Sequence, residues 1–106
     1  SYLAGKLEEI KADDKFICLF EEELDNIAVR NFVNDACERC QGICAAFVGT
    51  DETGYRYIIG SSSIDVREFA KKLNEAFSGK GGGKSEMVQG SLKGSRNDIE
   101  KMVLGF

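Results

Sequence analysis

Ile43-Cys-Ala-Ala-Phe-Val48 is apolar at every position, and within a few residues it meets Asp51-Glu-Thr-Gly54 and then Tyr55 to Ser61. A run apolar at both parities predicts an interior strand covered on both faces. Asp51 to Gly54 is turn chemistry, so Tyr55 to Ser61 is expected to return as an antiparallel strand. Upstream, Lys15-Phe-Ile-Cys-Leu-Phe20 is a second compact apolar run and reads as another buried strand. Between the two runs the period changes. Asp25 has the chemistry of a helix cap, and Val29, Phe32, Val33, Ala36, Cys37 and Cys40 form a wide apolar stripe. Arg30, Asn31, Asn34, Asp35, Glu38 and Arg39 fall on the opposite face, and Gly42 is the expected helix stop. A strand, a crossover helix and a second strand imply parallel neighbours, to which the hairpin adds an antiparallel pair.

Outward from this centre, Tyr2 to Lys11 can form a short helix with Leu3, Leu7 and Ile10 on one stripe. Ser63 or Asp65 is expected to cap a third helix, with Glu68 completing a capping box and Val66, Phe69, Ala70, Leu73 and Phe77 buried. A glycine-rich loop is expected from Ser78 to Ser85, then a strand from Met87 to Gly94. Asn97 is expected to cap a closing helix with the stripe Ile99, Met102, Val103 and Phe106. The order is α-β-α-β-β-α-β-α. It predicts an α/β domain with a mixed sheet of about four strands packed with helices. Residues 1–14 read as a helical lead-in from an upstream segment and 15–106 as the domain itself.

The chain has 106 residues, 42% hydrophobic and 30% charged, enough for one domain with a real core. It has no His, which excludes Ser-His-Asp and Cys-His nucleophile pairs and leaves a zinc site only Cys and carboxylate ligands. No apolar run reaches the roughly 18–20 residues of a membrane span. No signal-type leader opens the chain, and the absent initial Met suggests a fragment or a processed product. The net charge of −4 is unevenly spread. Residues 1–66 carry 6 Lys+Arg against 13 Asp+Glu, a net −7, and residues 67–106 carry 8 against 5, a net +3. A basic C-terminal part could bind a polyanion on one side only.

Cys37-Glu-Arg-Cys40 has the C-x-x-C spacing, with Cys44 close behind and Cys18 alone. A redox pair normally opens a helix, where the dipole stabilises a thiolate; this pair closes one, on the apolar stripe. A structural role is therefore expected, with no metal and no cofactor, and free thiols suit a reducing, cytoplasmic compartment. Glu21-Glu-Glu23 and Asp13-Asp14 lack calcium-loop spacing and read as solvated strand ends. No catalytic residue is identified.

Ser78-Gly-Lys-Gly-Gly-Gly-Lys-Ser85 is one residue from the nucleotide phosphate loop. That loop follows a strand and opens a helix, whereas here a helix precedes and a strand follows, which argues against nucleotide hydrolysis. Glycines flanked by Lys80 and Lys84 can still offer N–H groups and two cations to a phosphate backbone.

From Ser78 through Gly90 the sequence Ser-Gly-Lys-Gly-Gly-Gly-Lys-Ser-Glu-Met-Val-Gln-Gly resembles the signature of the DHH-associated domain found at the C-terminus of alanyl-tRNA synthetases. That pattern reads roughly Gly-Gly-Arg-Gly-Gly-Gly-Arg-Pro-Asp-Met-Ala-Gln-Ala-Gly. Gly79, Gly81, Gly82, Gly83, Met87 and Gln89 match outright, and Lys80, Lys84 and Glu86 match in charge. Ser78, Ser85, Val88, Gly90 and Ser91 depart from it. The resemblance implies a non-catalytic, tRNA-binding accessory domain of an alanine-tRNA ligase or of a stand-alone protein that deacylates mischarged tRNA. It also implies other domains of the parent chain as partners and a possible homodimer; that no membrane is a partner is expected from the lack of a membrane-length apolar run. The expected nucleic-acid contacts are Lys80, Gly81, Gly82, Gly83, Lys84, Gln89, Lys93 and Arg96. Two alternatives stand beside this reading. One is an oligomerisation or docking module of the same parent. The other is the substrate-binding domain of a DHH-type phosphoesterase, whose motif carries a His where this chain has Lys84.

Overall fold

In the computed structural model, which describes residues 2–106, the apolar run seeds β2 (Ile43–Thr50), paired on both sides. It runs parallel to β1 (Phe16–Glu21) with Phe16 opposite Ile43, and antiparallel to β3 (Gly54–Gly60) with Phe47 opposite Tyr57. The crossover between β1 and β2 is α2 (Asn26–Arg39). β3 continues into β5 (Met87–Leu92), and β5 into β4 (Lys80–Lys84), giving the order β1-β2-β3-β5-β4. The remaining helices are α1 (Tyr2–Glu8), α3 (Arg67–Ala76) and α4 (Arg96–Gly105).

Alternation along the strands divides the core in two. Ile43, Ala45, Phe47, Tyr55, Tyr57, Ile59, Val88 and Leu92 face α3 and α4, where Phe69, Leu73, Ile99 and Val103 complete the layer. Cys44, Ala46, Val48 and Ile58 face α1 and α2, meeting Leu7, Val29, Phe32, Val33 and Ala36. The mixed α/β architecture is as the sequence predicts.

The fifth strand is the addition. Residues expected as a loop form β4, because β5 offers it a full ladder from Lys80↔Ser91 to Lys84↔Met87. Backbone pairing supplies what a run of glycines lacks in propensity. Three cap assignments change as well. Ser95, not Asn97, caps α4 by accepting from the Asp98 N–H at 3.1 Å. Val66 precedes α3 with no side-chain cap, so Asp65 and Glu68 form no capping box; Asp65 instead grips Arg67 at 2.6 Å. Gly42 does not stop α2, which ends at Cys40 in an extended conformation. A Cβ on Gly42 would lie 2.3 Å from the Lys15 carbonyl oxygen, so this glycine admits the chain leading into β1. The cap at Asp25 is as expected, its carboxylate accepting from the Ala28 N–H at 2.9 Å.

Candidate nucleic-acid interface

β4 is an edge strand, and all five of its residues are exposed. An edge strand leaves part of its N–H and C=O groups turned away from the sheet. Residues directly opposite across an antiparallel pair share a face. Lys80, Gly82 and Lys84 therefore lie on the α2 side with Ser91, Gln89 and Met87, and Gly81 and Gly83 lie on the α3 side.

The three central glycines are not equivalent. At Gly81 φ is +154°, and a Cβ would sit 2.4 Å from the Gln89 carbonyl oxygen and 2.6 Å from the Tyr57 hydroxyl. Gly83 has φ +157° and would place a Cβ 2.6 Å from the Met87 carbonyl oxygen. Both are required by the fold. Gly82 has no unusual φ, and a Cβ there would meet nothing within 4 Å. Nothing inside the described residues needs a glycine at position 82.

Grooves flank this edge. On the α2 side, one of about 540 Å³ is lined by Arg30, Cys37, Gly82, Gly83 and Lys84 among others. On the α3 side a smaller groove, about 270 Å³, includes Arg67, Lys71, Gly81 and Gly82. Gly82 belongs to both. Gln89 is tied to α2, its Oε1 accepting from Arg30 Nη2 at 2.6 Å, while Arg30 Nη1 reaches the Met87 sulfur at 3.2 Å.

The other two expected contacts lie elsewhere. Lys93 follows β5 at the Lys80 end of the ladder, where its N–H donates to the Phe77 carbonyl at 2.9 Å. Arg96 is further off, its guanidinium 4.8 Å above the Phe20 ring in a cleft with Glu21, Glu22, Asp51 and Glu52. The eight residues thus resolve into a glycine edge with Lys80, Lys84 and Gln89, an adjacent Lys93, and a separate Arg96 among carboxylates. Arg30 and Arg56 were not singled out from the sequence. Both look solvated in their own elements, and only tertiary packing sets them beside β5.

Asp51 ties the β2–β3 turn to α4. Its Oδ1 accepts from the Tyr55 hydroxyl at 2.6 Å and from the Arg96 N–H at 2.9 Å. These bonds, the Tyr55 one foremost, hold the carboxyl below its ordinary 3.8, while burial and the Asp51 bond push Tyr55 up to about 12. A depressed carboxylate stabilises the fold above its unfolded pKa and loses that contribution as pH falls through the folded value. Asp51→Ala is therefore expected to lower the thermal midpoint at neutral pH. The gap to wild type should close in acid, below 3.8. Melting curves of both proteins across that range check it.

Cys40 and Cys44 are buried with their sulfurs 3.7 Å apart, and Cys37 is half-buried on the same stripe. A hydrogen bond from Cys44 lowers the Cys37 thiol, and burial raises Cys18 to about 12. Among the described residues no group of three His, Cys, Asp or Glu side chains is placed to hold a metal ion. No helix among them is long and apolar enough to cross a membrane.

The DHHA1 domain model matches residues 13–104. Two curated relatives are alanine--tRNA ligases of Francisella tularensis. That of subspecies holarctica is 27% identical over 117 residues and that of subspecies novicida 26%. Each alignment covers 96% of this chain and 14% of the ligase, so the chain spans about a seventh of the length of these relatives. Among solved structures, the C-Ala domain from Aquifex aeolicus alanyl-tRNA synthetase superposes with a TM-score of 0.68. At 19% identity, over 88% of this chain and 91% of that one, the likeness is one of fold.

Proposed function

Because the chain belongs to the DHHA1 domain family, matched over residues 13–104, we propose that it binds tRNA as an accessory, non-catalytic domain of an alanyl-tRNA synthetase or alanyl-tRNA editing protein. In this reading the β4 edge is the contact. Lys80 and Lys84 neutralise phosphates, the edge N–H groups of β4 approach the backbone, and Gln89 with Lys93 extends the surface along β5. Arg96 contributes from the far end of the sheet. The parent works in the cytoplasm, with its other domains as neighbours.

The observation that carries this reading is Gly82. A glycine costs backbone entropy, and here no internal contact or torsion requires one. Close approach of something outside the domain accounts for it, and the flanking lysines make a polyanion the fitting visitor. The remote curated relatives, named for joining alanine to its tRNA, favour tRNA among polyanions.

Two variants test it. Gly82→Val should leave the fold intact, since the Cβ enters open space, yet hold a phosphate backbone off the strand. The Lys80→Ala/Lys84→Ala double variant removes about two phosphate contacts, so its log–log salt slope should flatten by nearly that number of units. Titration against tRNA at several salt concentrations reads both. If affinity and slope match wild type in both variants, the edge is not the RNA contact, and a docking role for β4 takes its place.

A further inference from the structure

A second cleft, about 460 Å³, opens between α2 and the β3–β5 face, and no acidic residue lines it. Arg30 and Arg56 stand on its walls. Each is held by neutral acceptors: Arg30 by Gln89 Oε1 and the Met87 sulfur, Arg56 by Asn26 Oδ1 and by the Leu24 carbonyl at 3.1 Å. Neither has a carboxylate within ion-pair distance among the described residues, where Arg67–Asp65 does form such a pair. The guanidiniums are thus oriented in advance while their charge stays uncompensated. That combination favours an incoming anion, because the forked donors lose little entropy on binding it.

The floor is different in kind. Val29, Val48 and Ile58 are buried, at 2%, 4% and 6% exposure, and their outer surfaces line the cleft. An apolar floor under two fixed cations suits a ligand with a flat ring and a phosphate. We propose that this cleft is a binding site for one nucleotide, its phosphate held by Arg30 and Arg56 and its base laid on the Val29–Val48–Ile58 floor. Gln89 spends its carbonyl oxygen on Arg30, which leaves its amide N–H groups as donors for the edge of the base. The inference rests on the tRNA reading, since it seats an unpaired nucleotide of that RNA beside the β4 edge; apart from Gln89 it stands on residues of its own.

Adenosine 5′-monophosphate, adenosine and inorganic phosphate serve as separate probes in two-dimensional NMR titrations of the protein. The monophosphate should bind more tightly than either of the others, with shifts at Val29, Val48 and Ile58. Arg30→Gln and Arg56→Gln should each weaken it at least about fivefold, in line with loss of one charge-assisted contact. Lys101→Ala, an exposed change on α4 across the sheet, should leave it unchanged. Shifts that fall elsewhere, or affinity that survives both arginine changes, would overturn the site. Inorganic phosphate binding as well as the monophosphate would also overturn the nucleotide assignment, leaving a simple anion site. The two readings fail separately. Loss of the monophosphate effect with tRNA binding intact removes only the cleft. Absence of tRNA binding, with arginine-dependent monophosphate binding retained, removes only the tRNA proposal.

Discussion

Gly81→Val is expected to destabilise the fold by about 3 kcal/mol or more, from overpacking and backbone strain acting together. The added Cβ would meet the Gln89 carbonyl oxygen at 2.4 Å, the Gly90 Cα at 2.6 Å and the Tyr57 hydroxyl at 2.6 Å. None of these can withdraw cheaply. Two belong to the backbone of β5, and the Tyr57 hydroxyl is fixed by its 3.0 Å bond to Asn74 Oδ1 on α3. The torsion of +154° adds its own penalty for any residue with a side chain. One position on, Gly82→Val should stay within about 0.5 kcal/mol of wild type, as surface changes away from such features do. Urea denaturation of the two variants provides the comparison. Equal stability would mean that β4 does not lie against β5 in this register.

Phe47→Ala should cost about 3–5 kcal/mol, the range for emptying an aromatic core site. Phe47 is fully buried in β2, with its ring stacked on Phe20 at 5.0 Å and tilted against Tyr57 at 6.4 Å. Its removal opens a cavity between the sheet and the α3–α4 layer at the strand that every neighbour pairs through. For a domain whose whole stability is typically about 5–15 kcal/mol, this is a large fraction. Denaturant midpoints, with the slope checked for two-state behaviour, measure it. A loss below about 1 kcal/mol would place Phe47 outside the core.

Phe47 was legible because its environment is written along the chain. Apolar residues at both parities, a turn and a returning strand state that β2 is interior, and the stripe on α2 states what covers one face. β4 was not legible as a strand. Lys80 to Lys84 has no apolar periodicity, and its conformation is dictated by a partner strand rather than by its own residues. The same limit divides the glycines. Gly81, Gly82 and Gly83 are identical letters, and only the carbonyls and the hydroxyl facing them separate the two the fold demands from the one it does not. Arg30 is the clearest case of information the chain order does not hold. On the helical wheel it belongs to the solvent face, whereas in the fold it reaches 59 residues along the sequence to Gln89.

The composition of β4 also bears on edge-to-edge pairing between copies of the chain. A sheet that ends in an unpaired strand invites a second chain to add to it, and fibrils grow by that route. Three bare glycines give an arriving strand no side chains to interlock with, and a lysine at each end makes a like copy pay repulsion and desolvation before any ladder forms. A polyanion meets the opposite conditions at the same place: charge that attracts, and a bare backbone that lets it come near. If β4 is the RNA contact proposed above, one short strand does both: it draws a phosphate backbone in and gives a second β-edge little to hold.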